Sequence, residues 1–230
     1  MNILVINGSP KGKYSITLQT INYLERKFKD HSFSVLNAGQ TIRAIEKDFS
    51  KSREMLLALE RADLILFCYP VYTFIAPCQL HRFIELIKAD GVDLSGKFVT
   101  QITTSKHFYD ITAHRYIEDN CYDLGLKYIK GLSADMDDLL TEEGREVAEK
   151  FFKHFLWSVE QGLYESPVKR VSSYSQKAAT KAESVGKEKR DVVIITDNTD
   201  EGSSLAKMIE RFRAVLPYET RVVNIAEYPF

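Results

Sequence analysis

The chain has 230 residues, 44% of them hydrophobic and 27% charged, so it can bury a core without disulfide or metal staples and is too apolar to be disordered over most of its length. Its 31 basic and 32 acidic residues give a formal net charge of −1, which leaves no electrostatic case for nucleic acid or an anionic membrane as partner. No apolar run reaches the roughly 20 residues a bilayer demands, the start lacks the basic region of a signal peptide, and Cys68, Cys78 and Cys121 are scattered without a C-x-x-C. The expectation is a soluble, cytoplasmic protein with reduced thiols and no metal site.

Residues 3–6 are a continuous β-branched and aliphatic run, the mark of a strand buried on both faces. Residues 15–29 follow at helical period, with Leu18, Ile21, Leu24 and Phe28 on one face. A strand over 33–36, a helix over 52–61 and a second fully apolar strand over 64–69 come next. Pro77 suits the first turn of a helix over 77–88, whose buried face carries Leu80, Phe83, Ile84 and Ile87. A strand over 98–103, a loop and helix reaching 124, a fifth strand over 127–132 and a helix over 142–161 complete the alternation. Such alternation predicts right-handed βαβ units. The fold class is α/β: a doubly wound five-stranded parallel sheet, flavodoxin-like, in the order 2-1-3-4-5, spanning residues 1–165.

Residues 166–190 hold seven Lys or Arg against two acids and read as a basic linker. Beyond it, residues 191–230 repeat a strand–helix–strand pattern over 192–195, 202–215 and 221–225. This additional C-terminal βαβ unit is a partial repeat, too short to bury a core alone.

The first chemical motif is Asn7-Gly8-Ser9-Pro10-Lys11-Gly12-Lys13-Tyr14-Ser15-Ile16-Thr17, between the first strand and first helix. Small residues let the backbone wrap an anion, the hydroxyls of Ser9, Ser15 and Thr17 can donate, and the helix N-terminus and Lys11 favour negative charge. Neither G-x-x-x-x-G-K-[ST] nor G-x-G-x-x-G is present, so a Walker loop and a dinucleotide fingerprint are excluded. The second is the stiff, aromatic segment Tyr69-Pro70-Val71-Tyr72-Thr73-Phe74-Ile75-Ala76-Pro77 after the third strand, able to hold a flat ring. In the order 2-1-3-4-5 these two loops meet at the switch point where ligands bind. Thr104, Ser105 and His107 follow the neighbouring fourth strand. A phosphorylated ligand with a planar ring fits, and FMN has that shape.

At these residues the chain resembles the flavodoxin-like NADPH-dependent FMN reductase superfamily, which includes NAD(P)H–quinone oxidoreductases. The matching motifs are G-S-P-x-x-x-x-S-x-T and P-V-Y-x-x-x-x-P-x-Q-L. The resemblance implies an FMN-dependent oxidoreductase that takes a hydride from NAD(P)H and reduces a small acceptor such as a quinone, a flavin or another electrophile. It implies that Ser9, Lys11, Ser15, Ile16 and Thr17 bind the FMN phosphate, that Pro70, Val71, Tyr72, Thr73 and Phe74 line the ring, and that Thr104, Ser105 and His107 lie near it. It also implies a homodimer. The chain departs from the family at Ile16, where Asn is common, and in its C-terminal unit. Tyr72 and His107 are the candidates for shaping the pocket or supplying a proton. Rival readings are a flavodoxin-like electron carrier and a flavin-free scaffold. Cys78 reads as a buried small residue, and Asp135, Asp137 and Asp138 as capping the helix that follows them.

Overall fold

A computed structural model describes residues 1–105, 110–167 and 188–227. They fall into two compact units, Met1–Val168 and Lys169–Phe230.

In the first unit the opening aliphatic run forms β1 (Asn2–Asn7), and the amphipathic segment after it forms α1 (Ile16–Lys27). β2 (Ser32–Leu36), α2 (Ala38–Lys47), α3 (Phe49–Arg61), β3 (Leu64–Pro70) and α4 (Cys78–Asp90) follow. The unit continues through β4 (Phe98–Ser105), α5 (Ile111–Asp123), β5 (Lys127–Tyr128), β6 (Leu132–Asp135) and α6 (Glu142–Gln161). The strands are parallel and ordered β2-β1-β3-β4-β5, with β6 also paired to β4. This is the doubly wound, flavodoxin-like sheet expected from the sequence.

Alternation along the strands builds two cores. Leu4, Ile6, Ile65 and Phe67 pack against Ile42, Met55, Leu59, Leu80 and Phe83 on one face. Ile3, Val5, Leu64 and Leu66 pack against Leu18, Ile21, Leu24, Phe152 and Phe155 on the other. Both faces of a parallel sheet must be covered in this way, because crossover helices lie on each. Between β4 and α5 the packing turns polar. The Tyr69 and Tyr128 hydroxyls converge on the buried Gln101 amide, and Thr103 Oγ1 lies 2.8 Å from His114 Nε2. Burial pushes the Tyr69 hydroxyl well above its ordinary value of 10.0.

Three elements differ from the sequence-based expectation. α2 is an additional helix, carried by Ala38, Ile42 and Ile45 at helical spacing. The fifth strand is broken into β5 and β6, with Gly131 packed so closely on Gln101 that a Cβ would lie 2.3 Å from its side chain. Cys78 is exposed rather than buried, because α4 turns Leu80, Phe83, Ile84 and Ile87 inward and leaves its first residue outside.

In the second unit β7 (Glu188–Thr196) and β8 (Tyr218–Asn224) form a parallel pair joined by α7 (Ser204–Val215), whose N-terminus Ser203 caps by accepting from Ala206 N. β7 begins inside the segment expected to be a linker, most of which (168–187) lies outside the described residues. Among the described residues no helix is long and apolar enough to cross a membrane.

Candidate functional site

The loop leaving β1 is organised by one buried side chain. Asn7 Nδ2 donates to Gly12 O (3.0 Å) and to Asn37 Oδ1 (2.9 Å), while its Oδ1 accepts from Ser9 N at 3.1 Å. Gly12 N donates to Ser9 O at 3.1 Å, and Ser15 N donates to Gly12 O at 3.0 Å, which closes the loop against the start of α1. Gly12 sits at φ +53°, a conformation that favours glycine. The N-terminus of α2 braces this loop from behind. A Cβ at Gly39 would lie 2.3 Å from Ser9 O, so only glycine permits the approach.

Ser15 occupies the N-cap of α1, yet its hydroxyl makes no capping bond. Its Oγ is buried and has no hydrogen-bond partner among the described residues, and the same holds for Ser105 Oγ at the end of β4. A buried hydroxyl left unpaired costs about 1–3 kcal/mol, which a hydrogen-bonding ligand in the cavity would recover. The first turn of α1 holds no acidic residue, and its free N–H groups add partial positive charge.

At the end of β3, Val71 N donates to Thr104 O at 3.0 Å, tying the aromatic segment to β4. Tyr72 and Ile75 then exchange backbone hydrogen bonds of 3.0 and 3.2 Å across a two-residue turn. Its central residues, Thr73 at φ 49° and Phe74 at φ 72°, both adopt the left-handed region. A turn of that kind favours Asn-Gly. Here a β-branched and an aromatic residue hold it, at a cost of about 1–2 kcal/mol each.

The two loops enclose one cavity of about 480 Å³ at the carboxyl ends of the strands. Ser9, Lys11, Ser15 and Ile16 line one part of it, Pro70, Val71, Tyr72, Thr73 and Phe74 another, and Thr104 and Ser105 a third. Thr17 is not in the wall: it is fully buried, with Oγ1 2.6 Å from Thr104 Oγ1. His107 lies outside the described residues. One wall residue was not expected, Met136, in the turn after β6. The nearby aspartates do not cap α6. Thr141 does, accepting from Gly144 N at 3.0 Å, while Asp138 Oδ2 accepts from Asp135 N at 2.8 Å.

His114 is partly buried beside Thr103 of β4 and does not line the cavity; its Nε2 lies 3.5 Å from Asp110 Oδ2. Burial holds its pKa below the ordinary 6.5, with Asp110 opposing that shift and Lys130 reinforcing it.

A parallel sheet in this order, with the Ser/Gly loop after β1 and the aromatic segment after β3 lining one cavity, is an α/β protein of the doubly wound kind, in which ligands bind at the switch point. The chain belongs to the NADPH-dependent FMN reductase family, whose model matches residues 1–119. It is therefore an FMN-dependent NAD(P)H oxidoreductase. Among solved structures it is similar to FerB, a flavoenzyme NAD(P)H:(acceptor) oxidoreductase from Paracoccus denitrificans, at 15% identity and a TM-score of 0.57 over 70% of this chain and 97% of that one. It is also similar to the apo form of the NADH:FMN oxidoreductase EMOB, at 17% identity and a TM-score of 0.57 over 72% and 91%. An NAD(P)H:quinone oxidoreductase from Methanothermobacter marburgensis matches at 11% identity and a TM-score of 0.52 over 73% and 98%. At these identities the likeness is one of fold. Comparison with curated proteins gave no match.

Proposed function

We propose that Ser9, Lys11, Ser15 and Ile16 hold the FMN phosphate, that the ring lies along Pro70, Val71, Tyr72, Thr73 and Phe74, and that the acceptor is a small flat molecule such as a quinone. The observation that carries this reading is the Ser15 hydroxyl, which is buried, unpaired among the described residues and placed at an uncapped helix N-terminus. That is a donor waiting for an anion, in the same cavity as an apolar shelf.

When FMN is bound it relays an electron pair, so that NAD(P)H, a quinone and one proton give NAD(P)⁺ and the hydroquinone. The chain's own residues bind and orient. The cradle fixes the phosphate end by hydrogen bonds and by the charge of Lys11. The hairpin supplies a rigid apolar surface, and its strained turn sets where Phe74 and Tyr72 stand. Ser105 offers a polar group to the ring edge, and Thr17 acts at second hand by holding Thr104. Of the two candidate proton donors, Tyr72 lines the cavity, and no acid–base residue is required for hydride transfer itself.

The test is anaerobic turnover of FMN-loaded protein with NADPH and menadione. The reading expects one hydroquinone per NADPH consumed. Flavin-loaded protein that oxidises neither NADPH nor NADH would refute it. The proposal includes a homodimer, checked by sedimentation velocity.

A further inference from the structure

The C-terminal unit carries an apolar face that its own strands leave bare. Among its described residues none is buried, because two strands and one helix enclose too little volume for a core. Helix α7 turns Ala206, Ile209 and Arg213 toward the strands, where they are partly buried and Arg213 Nε donates to Thr220 Oγ1 at 3.2 Å. A second apolar face lies about a third of a turn round the same helix. It is made of Leu205, Met208, Phe212 and Val215, which remain 44%, 67%, 51% and 42% exposed.

Their spacing is three, four and three residues, the interval of a coiled-coil seam. It is also symmetric. Leu205 and Val215 stand five residues either side of Glu210, and Met208 and Phe212 stand two either side. Two copies of α7 laid antiparallel about a twofold axis at Glu210 therefore set Leu205 against Val215 of the second copy and Met208 against its Phe212, and the axis repeats both layers. That order places a thioether on each phenyl ring and opposes the two helix dipoles. A parallel pair would stack each residue on itself and align the dipoles. A groove of about 430 Å³ runs along the seam, walled further by Ile194 and Ile209, and gives side chains of a second copy room to enter. The four exposed residues give about 800 Å² across such a pair, and the flanks of the groove bring it to about 1,000 Å², the small end of specific interfaces.

We infer that α7 is the dimer contact of this protein, pairing antiparallel with α7 of a second copy through Leu205, Met208, Phe212 and Val215. The inference rests on the homodimer proposed above and gives it a surface. The modest area makes the association reversible and concentration-dependent.

The experiment follows the 230-residue chain by sedimentation velocity over a range of concentrations, with helix content read by circular dichroism. Wild type should self-associate. Met208→Glu and Phe212→Lys should each, at unchanged helix content, weaken association at least about a hundredfold, since either puts a charge into both central layers. Mixed in equal amounts, the two variants should pair again. In the antiparallel arrangement the introduced carboxylate faces the introduced ammonium in one central layer, while the other keeps Met against Phe. Parallel helices would give no such rescue. Variants that each remain dimeric would overturn the inference and leave the homodimer on another surface. A mixture that stays monomeric would overturn the antiparallel seam and assign the stripe to another occupant. Wild type that is monomeric at every concentration would remove the homodimer itself, and the inference with it.

Discussion

Replacing Thr73 and Phe74 together by Asn and Gly should make the protein more stable and a worse flavin binder. The two residues sit at φ 49° and 72° in a two-residue turn, and left-handed backbone costs an ordinary L-residue about 1–2 kcal/mol. Relieving both positions is worth about 2–4 kcal/mol, from which about 0.5–1 kcal/mol is lost to the extra unfolded-state freedom of glycine. Phe74 is half exposed, and a net gain of about 1–3 kcal/mol should raise the apoprotein Tm by roughly 2–12 °C. The same exposed half of Phe74 is what the flavin ring would cover. Losing about 80 Å² of apolar contact costs about 2 kcal/mol, or about thirtyfold in Kd. Thermal melts of the apoprotein and FMN titration by fluorescence quenching read the two effects independently. A double variant that melts lower would refute the strain argument, and one that melts higher but binds FMN unchanged would show that the hairpin is not the ring's shelf.

Ser15→Ala removes a buried hydroxyl with no partner among the described residues, so the apoprotein should melt roughly 2–12 °C higher, as a cost of about 1–3 kcal/mol is relieved, while FMN affinity falls about tenfold, the worth of one hydrogen bond to a charged group. Lys11→Glu reverses a charge at the cradle and should weaken FMN binding at low salt more than at high salt, where screening shortens the reach of the interaction; affinity unchanged at low salt would place the phosphate elsewhere. His114 has a folded-state pKa held below 6.5 by burial, so between that depressed value and 6.5 the unfolded chain binds the extra proton. Stability should therefore decline as pH falls below about 6.5. Urea unfolding at pH 7.5 and 5.5 should show a smaller decline in His114→Gln than in wild type; an equal decline would assign the dependence to another group, such as His81, whose pKa burial also lowers.

Much of this site was legible because its parts are local. Residues 3–6 announce a buried strand, the Gly/Ser segment up to Ser15 announces a turn into a helix, and two prolines with three aromatics mark the shelf; the order of a parallel sheet then brings them together. What the sequence hid depends on contacts between distant residues. The brace that α2 gives the cradle passes through Asn37 and Gly39, and its helical signal is only Ala38, Ile42 and Ile45. Met136 sits among aspartates after a four-residue strand whose alternation is too brief to read. Thr17 carries the hydroxyl the motif calls for, but helix geometry turns it inward to Thr104. Cys78 shows the reverse error, an apolar residue type left outside by its place at the start of a helix.

The measurement that bears most directly on the cavity is a calorimetric titration of the apoprotein with FMN and, separately, with riboflavin, the same ring without the phosphate. One FMN should bind per chain, at least about a hundredfold more tightly than riboflavin, since two or more charge-assisted hydrogen bonds at about 1.5 kcal/mol each are lost with the phosphate. Equal affinity for the two, or no flavin binding at all, would contradict the assignment of the Ser9–Ser15 loop as the cradle of a phosphate.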